Sequence, residues 1–180
     1  MPADPPFGSL QERLRACIRD VPDFPRAGVA FKDITPVLAD ARLFQDVVRA
    51  LATAGDGADV VVGIESRGFI FGAPLACLLG CGFVPFRKPG KLPYRTERVS
   101  YGLEYGTDAL EAHVDAIRPG QRVLIVDDVL ATGGTAAAAV ELVQCLGGEA
   151  LGTAFVVELG FLHGRPRLGS LPLHSLLTYE

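Results

Sequence analysis

Short apolar runs, separated by amphipathic stretches, dominate this chain of 180 residues. Three of the runs, 59–64, 122–126 and 151–157, are rich in valine and other apolar residues, which is typical of buried strands in a parallel sheet. Shorter runs at 83–86 and 173–177 predict two further strands. Because helical patterns lie between these strands, the chain is predicted to form an α/β fold with a mostly parallel sheet flanked by helices. Ligands bind such sheets beyond the carboxyl ends of the strands.

Capping residues mark where the helices begin. Ser9 starts a capping box before an apolar helical face, and Asp40 is suited to cap a second helix. Segments 68–79 and 135–146 predict two more helices, the second of them stopped by a pair of glycines. Prolines in the segment 20–28 predict a loop between the first two helices.

The middle of the chain follows a different pattern. Apolar and polar residues alternate from Leu110 to Ala116, which predicts a half-exposed strand, and Gly106 suits a turn before it. The preceding residues are polar and aromatic. Segment 98–117 is therefore predicted to be a hairpin that projects from the core.

Composition narrows the class of protein. The length fits one domain spanning 1–180. The net charge of -4 predicts no nucleic-acid partner, because such proteins usually carry a basic face. No apolar run reaches the roughly 18 residues of a membrane span, and the N-terminal residues lack the pattern of a secretory signal. The four cysteines have no metal-site spacing and are predicted to be small reduced core residues, which favours the cytoplasm.

The most informative string is 123–135, Val-Leu-Ile-Val-Asp-Asp-Val-Leu-Ala-Thr-Gly-Gly-Thr. A buried strand ends in two carboxylates, Asp127 and Asp128, and a loop with two glycines then opens a helix. Unpaired backbone N–H groups at a helix start bind anions, and glycines allow a phosphate to approach the backbone. Adjacent acids beside such a loop suit a ligand that carries hydroxyl groups next to its phosphate. A ribose 5-phosphate is a ligand of this kind.

This string resembles the phosphoribosyl-pyrophosphate motif of type I phosphoribosyltransferases. Four more segments, 23–36, 63–72, 87–93 and 100–106, are similar in order to those of the adenine phosphoribosyltransferases, a branch of that family. The resemblance covers nearly the whole chain. It implies a type I phosphoribosyltransferase fold, with an N-terminal helix and base-binding hood at 1–36 and a mobile hairpin lid at 94–117.

The resemblance also implies a reaction and its partners. Adenine and 5-phosphoribosyl 1-pyrophosphate (PRPP) would give AMP and pyrophosphate, as in purine salvage. Mg²⁺ would be held mainly by the substrate, with Asp127 or Asp128 contributing through water rather than through a cage of protein ligands. The family is expected to be homodimeric. Neither a nucleic acid nor a membrane is an expected partner.

Phosphate and pyrophosphate contacts are implied for several segments. Asp127 and Asp128 would hold the ribose hydroxyls. The 5-phosphate would lie on the loop residues Ala131, Thr132, Gly133, Gly134 and Thr135. Pyrophosphate would lie on the turn and cation loop formed by Glu65, Ser66, Arg67, Arg87, Lys88 and Lys91. Arg67 and Lys88 are expected to be catalytic, since fixed cations neutralise the charge that grows on a leaving pyrophosphate. Gly68 is expected to allow close approach of the anion, and the family often has a cis peptide in this turn.

Purine contacts are implied for two further segments. Phe31 would stack on the base beside Ala30 and Lys32, because aromatic rings favour flat partners. Glu104 is expected to be catalytic by helping to manage the purine proton, with Tyr105 beside it. Tyr101 is a weaker candidate for the same region.

Two other functions remain open from the sequence. The chain could transfer phosphoribosyl groups to another base such as xanthine, although segment 100–106 resembles the adenine enzymes. A regulator with this fold could instead bind nucleic acid. The acidic net charge and the lack of spare length for a second domain count against the regulator.

Overall fold

The computed structural model describes residues 8–24, 26–28, 30–103 and 106–180. The chain divides into two compact units, Met1–Val47 and Val48–Glu180. Within the described residues, no helix is both long and apolar enough to cross a membrane.

The N-terminal unit begins with helix α1, Leu10–Cys17. The predicted capping box is confirmed, because Glu12 N donates to Ser9 Oγ over 3.2 Å and Ser9 N donates to Glu12 Oε2 over 2.7 Å. Strand β1, Arg19–Val21, then pairs antiparallel with strand β2, Phe31–Asp33. The prediction of a loop over 20–28 is therefore wrong at its start, because pairing with β2 draws the first two of those residues into a strand.

Two helices follow β2. The short helix α2, Thr35–Ala39, has no predicted counterpart, and it gives way at once to helix α3, Ala41–Ala52. Asp40 caps α3 as predicted, since its Oδ1 accepts hydrogen bonds from the backbone N–H groups of Arg42 and Leu43. Each of these bonds has a length of 3.0 Å.

The C-terminal unit alternates strands and helices. Its elements in chain order are strand β3 (Val60–Ile64), helix α4 (Gly68–Leu79), strand β4 (Gly82–Phe86), strand β5 (Thr96–Leu103), strand β6 (Gly106–His113), strand β7 (Arg122–Leu130), helix α5 (Gly134–Cys145), strand β8 (Glu149–Leu159) and strand β9 (Leu173–Tyr179). Five strands form one sheet in the order β4-β3-β7-β8-β9, and every neighbouring pair is parallel. The predicted α/β class and parallel sheet are confirmed.

Strand β7 occupies the centre of the sheet and is longer than predicted. It continues past the acid pair, because Asp127 pairs with Phe155 of β8 and Leu130 pairs with Glu158. The prediction that the strand ends at the acids is wrong for this reason. The two carboxylates therefore sit on regular extended backbone, which fixes the directions of their side chains.

Strands β5 and β6 form the predicted antiparallel hairpin, but its base does not project from the core. Val99, Leu110 and Ala112 are buried in the same apolar cluster as residues of β3, β7 and α5. Two backbone hydrogen bonds between Arg87 and Glu111 also fasten β6 to the chain that leaves β4. Strand β6 buries its apolar face, as the alternation predicts, but it ends at His113 rather than at Ala116, and Glu111 on its other face is buried as well.

The cysteine prediction is half right. All four cysteines are free thiols, but none is fully buried, and Cys77 and Cys145 are exposed. The assignment of these residues to the core is therefore wrong. Cys17, Cys77 and Cys145 lie on helices that turn other residues to the core, and Cys81 lies between α4 and β4.

Candidate active site

The carboxyl end of β7 opens into a cavity of about 220 Å³. Its lining is Arg67, the segment from Asp127 to Ala136, and Phe155. The sequence predicts a site at this edge, and the structure brings Arg67, the acid pair and the glycine loop together there. The cavity thus combines a cation, two carboxylates and the start of a helix.

The acid pair is held by its own backbone and by Arg67. Asp128 N donates to Asp127 Oδ1 over 2.8 Å, and Arg67 Nε lies 3.0 Å from Asp128 Oδ2. Burial, together with the charge of Asp128, raises the pKa of Asp127 well above its usual value. Burial also raises the pKa of Asp128, more than the neighbouring Arg67 lowers it. Two carboxylates in this setting favour a ligand that supplies positive charge or hydroxyl donors.

The loop after β7 has the geometry of an anion site. Gly133 has a φ of 80°, a left-handed conformation that favours glycine, and helix α5 begins at the next residue. A Cβ on Gly133 would lie 2.5 Å from the carbonyl oxygen of Gly164. The first backbone N–H groups of α5 have no partners within the helix, so they can receive a phosphate. Ala131, Thr132, Gly134 and Thr135 line the same cavity.

The connection from β8 to β9 supports this loop, and sequence reasoning missed it. A side chain on Gly164 would collide with the carbonyl of Ala131, so the two backbones pack directly on one another. Leu168 is buried with Leu130 and Phe155 beneath the loop. Arg167 Nη1 lies 3.6 Å from the position that a Cβ on Gly134 would occupy. The only signal in the sequence is a glycine between basic residues, which is too common to identify a site.

The turn after β3 joins the cavity through Arg67. The peptide bond between Glu65 and Ser66 is cis, Ser66 is exposed, and Arg67 reaches the acid pair. Gly68 also has a packing role, because a Cβ there would lie 2.6 Å from the carbonyl oxygen of Val126. The absent side chain lets α4 pack closely on β7, and the expected approach of an anion to this glycine stays a prediction.

Glu65 supports the cation loop, which is the segment after β4 that contains Arg87, Lys88 and Lys91. Its carboxylate accepts hydrogen bonds from Lys88 N over 2.9 Å and from Arg87 Nε and Nη2 over 3.2 and 3.3 Å. Burial raises the pKa of Glu65, but these hydrogen bonds outweigh it and hold the pKa below its usual value. A stably ionised Glu65 therefore fixes the backbone and guanidinium at the start of the loop.

The rest of the cation loop is also ordered by hydrogen bonds. Arg87 Nη1 donates to the carbonyl oxygen of Lys91 over 3.1 Å, and Gly90 N donates to Glu111 Oε2 over 3.0 Å. Lys91 itself is exposed. Lys88 Nζ turns back to the hairpin, where it pairs with Asp108 and donates to Tyr101 Oη over 2.8 Å. The segment is a fastened loop rather than a freely solvated basic turn.

Tyr101 occupies a place that the sequence does not indicate. Its hydroxyl accepts hydrogen bonds from Lys88 and from Thr135 Oγ1, the latter over 3.3 Å, and donates to Asp108 Oδ2 over 3.2 Å. Tyr101 therefore links the loop that contains Lys88 to the start of α5 at Thr135.

The expected purine-binding residues are only partly described. Phe31 and Lys32 belong to β2 and Ala30 precedes it, all within the N-terminal unit. Phe31 is half-buried and meets Phe24 edge to face with ring centroids 5.2 Å apart, while Lys32 Nζ pairs with Asp20 Oδ1 over 2.5 Å.

Glu104 and Tyr105 lie outside the described residues. Their expected contacts with the purine therefore stay predictions, as do those of the N-terminal segment.

Across the described ranges, no group of three or more His, Cys, Asp or Glu side chains could hold a metal ion. The acid pair offers a different kind of metal contact. Asp128 Oδ2 is buried and, in the part of the chain that the structure describes, accepts no hydrogen bond of good geometry. A buried carboxylate oxygen next to the glycine loop, with Arg67 as its ion-pair partner but with no well-aligned hydrogen bond, fits a Mg²⁺ ion whose other ligands are substrate oxygens and water.

An acid pair on the central strand of a parallel sheet, followed by a glycine loop that opens a helix, is the arrangement expected of the phosphoribosyl-transfer class. The family model of the phosphoribosyl transferase domain matches residues 34–167. An adenine phosphoribosyltransferase from Anaeromyxobacter dehalogenans is 59% identical over 172 residues, which cover 94% of this chain and 100% of that protein. This chain accordingly belongs to the adenine phosphoribosyltransferase family.

Solved structures agree with this assignment. The crystal structure of adenine phosphoribosyltransferase from Thermoanaerobacter pseudethanolicus is 53% identical, with a TM-score of 0.91, over 95% of this chain and 100% of that one. The enzyme from Saccharomyces cerevisiae, complexed with an imino-altritol bisphosphate and adenine, is 44% identical, with a TM-score of 0.88, over 93% of this chain and 98% of that one.

Proposed function

We propose that this protein converts adenine and PRPP to AMP and pyrophosphate in purine salvage. The observation that carries the proposal is the cavity at the end of β7, where a half-buried Asp127 and a buried Asp128 lead into the glycine loop that precedes α5. Phosphate and ribose hydroxyls are adjacent in PRPP, as the loop and the acids are adjacent here. The identity to adenine phosphoribosyltransferases supports adenine as the base.

Each part of PRPP has a matching group in the C-terminal unit. The backbone N–H groups of 131–135 and the Thr135 hydroxyl receive the 5-phosphate. Asp127 and Asp128 accept hydrogen bonds from the ribose hydroxyls. Arg67 and Lys88 lie on the two segments that receive pyrophosphate, and Arg87 and Glu65 hold the second of these segments in place. The protein thereby holds the sugar by both of its phosphorylated ends.

Catalysis then consists mainly of positioning and charge stabilisation. The purine nitrogen attacks the anomeric carbon with inversion, and the bond to pyrophosphate breaks. Positive charge develops on the ribose beside the two carboxylates, while negative charge develops on the leaving group beside Arg67 and Lys88. Fixed charges opposite in sign to the developing ones stabilise the transition state more than the ground state, and they therefore lower the barrier.

Mg²⁺ is the cofactor of the proposed reaction. The buried Asp128 Oδ2 and its neighbour Asp127 are the residues that would contact it, directly or through water. When bound, the ion would neutralise pyrophosphate oxygens and so make pyrophosphate a better leaving group.

A base panel tests the proposal directly. The purified protein, PRPP and Mg²⁺ are incubated with adenine, hypoxanthine, guanine or xanthine at equal concentrations, and nucleotide formation is followed by chromatography. We expect AMP from adenine and far less nucleotide from the other bases. A faster reaction with xanthine or guanine would assign a different base, and no nucleotide from any base would reject the transferase.

Glu104 is proposed to accept a purine N–H proton as the base bonds to the sugar. Glu104→Leu removes both the charge and the hydrogen bond, whereas Glu104→Gln keeps the size and some hydrogen bonding. We expect a large loss of single-turnover rate in the leucine variant, a smaller loss in the glutamine variant, and little change in PRPP binding. Near-normal single-turnover rates in both variants would remove Glu104 from the chemistry.

A homodimer in the cytoplasm is the proposed setting. The exposed apolar side chains Ile70 and Leu78 on α4 support association, and the free thiols support a reducing compartment. Light scattering coupled to gel filtration measures the mass of the particle, and a mass of one chain would contradict the dimer.

A further inference from the structure

Two donors that the proposed reaction needs are both engaged by one pair of side chains. Lys88 Nζ and Thr135 Oγ1 come from different loops, yet each donates a hydrogen bond to Tyr101 Oη, over 2.8 and 3.3 Å. Tyr101 Oη donates in turn to Asp108 Oδ2 over 3.2 Å, and Lys88 forms an ion pair with the same carboxylate oxygen. The hydroxyl and the carboxylate together form a single acceptor group for both donors.

This acceptor group stands on the packed part of the hairpin. Tyr101 and Asp108 are directly paired in the register of β5 and β6. Their neighbours Val99, Ala109 and Leu110 are buried. The acceptor atoms thus stand on paired strands whose apolar side chains are packed in the core. Lys88 is about one-third exposed, so its flexible side chain can turn away without disturbing the strands.

Both members of the ion pair are charged at neutral pH. Burial lowers the pKa of Lys88, but hydrogen bonds to Asp108 and Tyr101 outweigh it and raise the pKa above its usual value. Burial raises the pKa of Asp108, but the hydrogen bond from Lys88 outweighs it and leaves the pKa below its usual value. The lysine charge is therefore compensated within the protein before any pyrophosphate arrives.

Lys88 and Thr135 cannot keep their present partners and also bind the substrate at full strength. A threonine hydroxyl has one proton, so Thr135 must leave Tyr101 Oη before it donates to the 5-phosphate. Lys88 keeps an N–H group to spare, but its charge is already paired with a carboxylate. A pyrophosphate that uses Lys88 must compete with that carboxylate and is also repelled by it.

We propose, on the basis of the function proposed above, that Tyr101 and Asp108 are an internal acceptor pair that PRPP displaces, and that Asp108 sets the affinity for pyrophosphate. In the absence of ligand the pair satisfies Lys88 and Thr135. When the substrate binds, its two phosphorylated ends take over these donors. When pyrophosphate is formed, Asp108 competes for Lys88 again and so favours release of this product.

Asp108→Asn tests the proposal because the proposal and a purely structural role of Asp108 predict opposite changes in the affinity for pyrophosphate. The asparagine has nearly the same shape, but it competes for Lys88 less strongly and does not repel pyrophosphate. We expect magnesium pyrophosphate to bind the variant about fivefold more tightly in calorimetry, a size typical of one exposed charge pair. The KM for pyrophosphate should fall equally in the reverse reaction with AMP. A purely structural role of Asp108 would instead weaken binding.

Tyr101→Phe and Asp115→Asn complete the experiment. Tyr101→Phe frees the Thr135 hydroxyl, so AMP should bind more tightly, whereas Asp108→Asn should leave AMP affinity nearly unchanged. Asp115 is an exposed acid beyond β6, and Asp115→Asn removes the same charge without touching Lys88. Equal pyrophosphate affinities in the Asp108 and Asp115 variants, or weaker binding in the former, would overturn the proposal. Failure of the unmodified protein to make AMP would instead reject the proposed reaction, since pyrophosphate binding is measured separately.

Discussion

Asp127→Asn and Asp128→Asn are each expected to lower kcat/KM by about a hundredfold to a thousandfold while the fold is kept. This is the range typical of removing one preorganised group that faces developing charge. A neutral amide holds ribose hydroxyls less well and does not stabilise positive charge on the sugar. In Asp127→Asn, the oxygen of the new side-chain amide can still accept the hydrogen bond that Asp128 N gives to Asp127 Oδ1, so the local backbone should stay in place.

The same Asp127 substitution should make the protein more stable at neutral pH. Because burial and the neighbouring acid raise the pKa of Asp127 well above its ordinary value of 3.8, the folded chain holds this proton more tightly than the unfolded chain does. Stability is therefore lost as the pH rises above 3.8 towards the raised pKa, and asparagine, which does not ionise, avoids that loss. The gain should shrink as the pH falls towards 3.8, where the ordinary carboxyl also becomes protonated.

Thermal melts at pH 7 and near pH 4, together with steady-state kinetics, check both halves of this prediction. Glu149→Gln is a suitable control, because Glu149 is an exposed carboxylate at the opposite end of the sheet from the acid pair. Normal kcat/KM in both acid-pair variants, with unchanged circular dichroism, would remove these residues from the site. A lower melting temperature of Asp127→Asn at pH 7 would contradict the inference that the ionised Asp127 side chain destabilises the folded protein.

Gly133→Val is expected to abolish AMP binding within the measurable range. Valine is strongly disfavoured at a φ of 80°, and its Cβ would lie 2.5 Å from the carbonyl oxygen of Gly164. The loop must therefore shift, and the shift moves the N–H groups that receive the 5-phosphate. Calorimetry with AMP measures the effect, whereas binding of free adenine, which has no phosphate, should change little.

Gly120→Val provides the matched control for backbone strain. Gly120 also has a left-handed φ, of 77°, but a Cβ there would meet nothing within 4 Å. It precedes β7 and thus lies at the amino end of that strand, away from the acid pair. Its substitution should reduce stability without reducing AMP affinity per folded molecule. If Gly133→Val bound AMP as tightly as Gly120→Val, the phosphate would have to lie elsewhere.

The parts of the fold that local patterns determine could be predicted from the sequence. The valine-rich run of β3 is buried on both faces and leaves few alternatives to a parallel strand. Helix α4 has the predicted bounds, and the capping residues Ser9 and Asp40 act as expected, because each bonds to atoms within three residues. The glycine loop between β7 and α5 could be predicted for the same reason, since one short string contains the acids, the glycines and the helix start.

Contacts between distant segments could not be predicted in this way. The partner of Glu65 is Arg87, and the partner of the Gly133 backbone is Gly164, so neither pair leaves a local pattern. The alternation in β6 correctly indicated a strand with two unlike faces. It did not reveal that the apolar face completes the main core, because that depends on where α5 packs. The hydrogen bonds that join Tyr101 to Lys88 and Thr135 also link segments that are distant in the chain, so the sequence does not reveal them.

The close packing of Gly164 on the phosphate loop has a consequence for protein synthesis. The acid pair and the loop are complete once residue 135 has been translated, but the backbone that supports the loop comes from the segment between β8 and β9. A ribosome-bound chain that stops before Gly164 would contain nearly every residue of the candidate phosphate site and still lack the surface against which it is shaped. Activity should therefore emerge late in translation, when the last connection of the sheet leaves the exit tunnel.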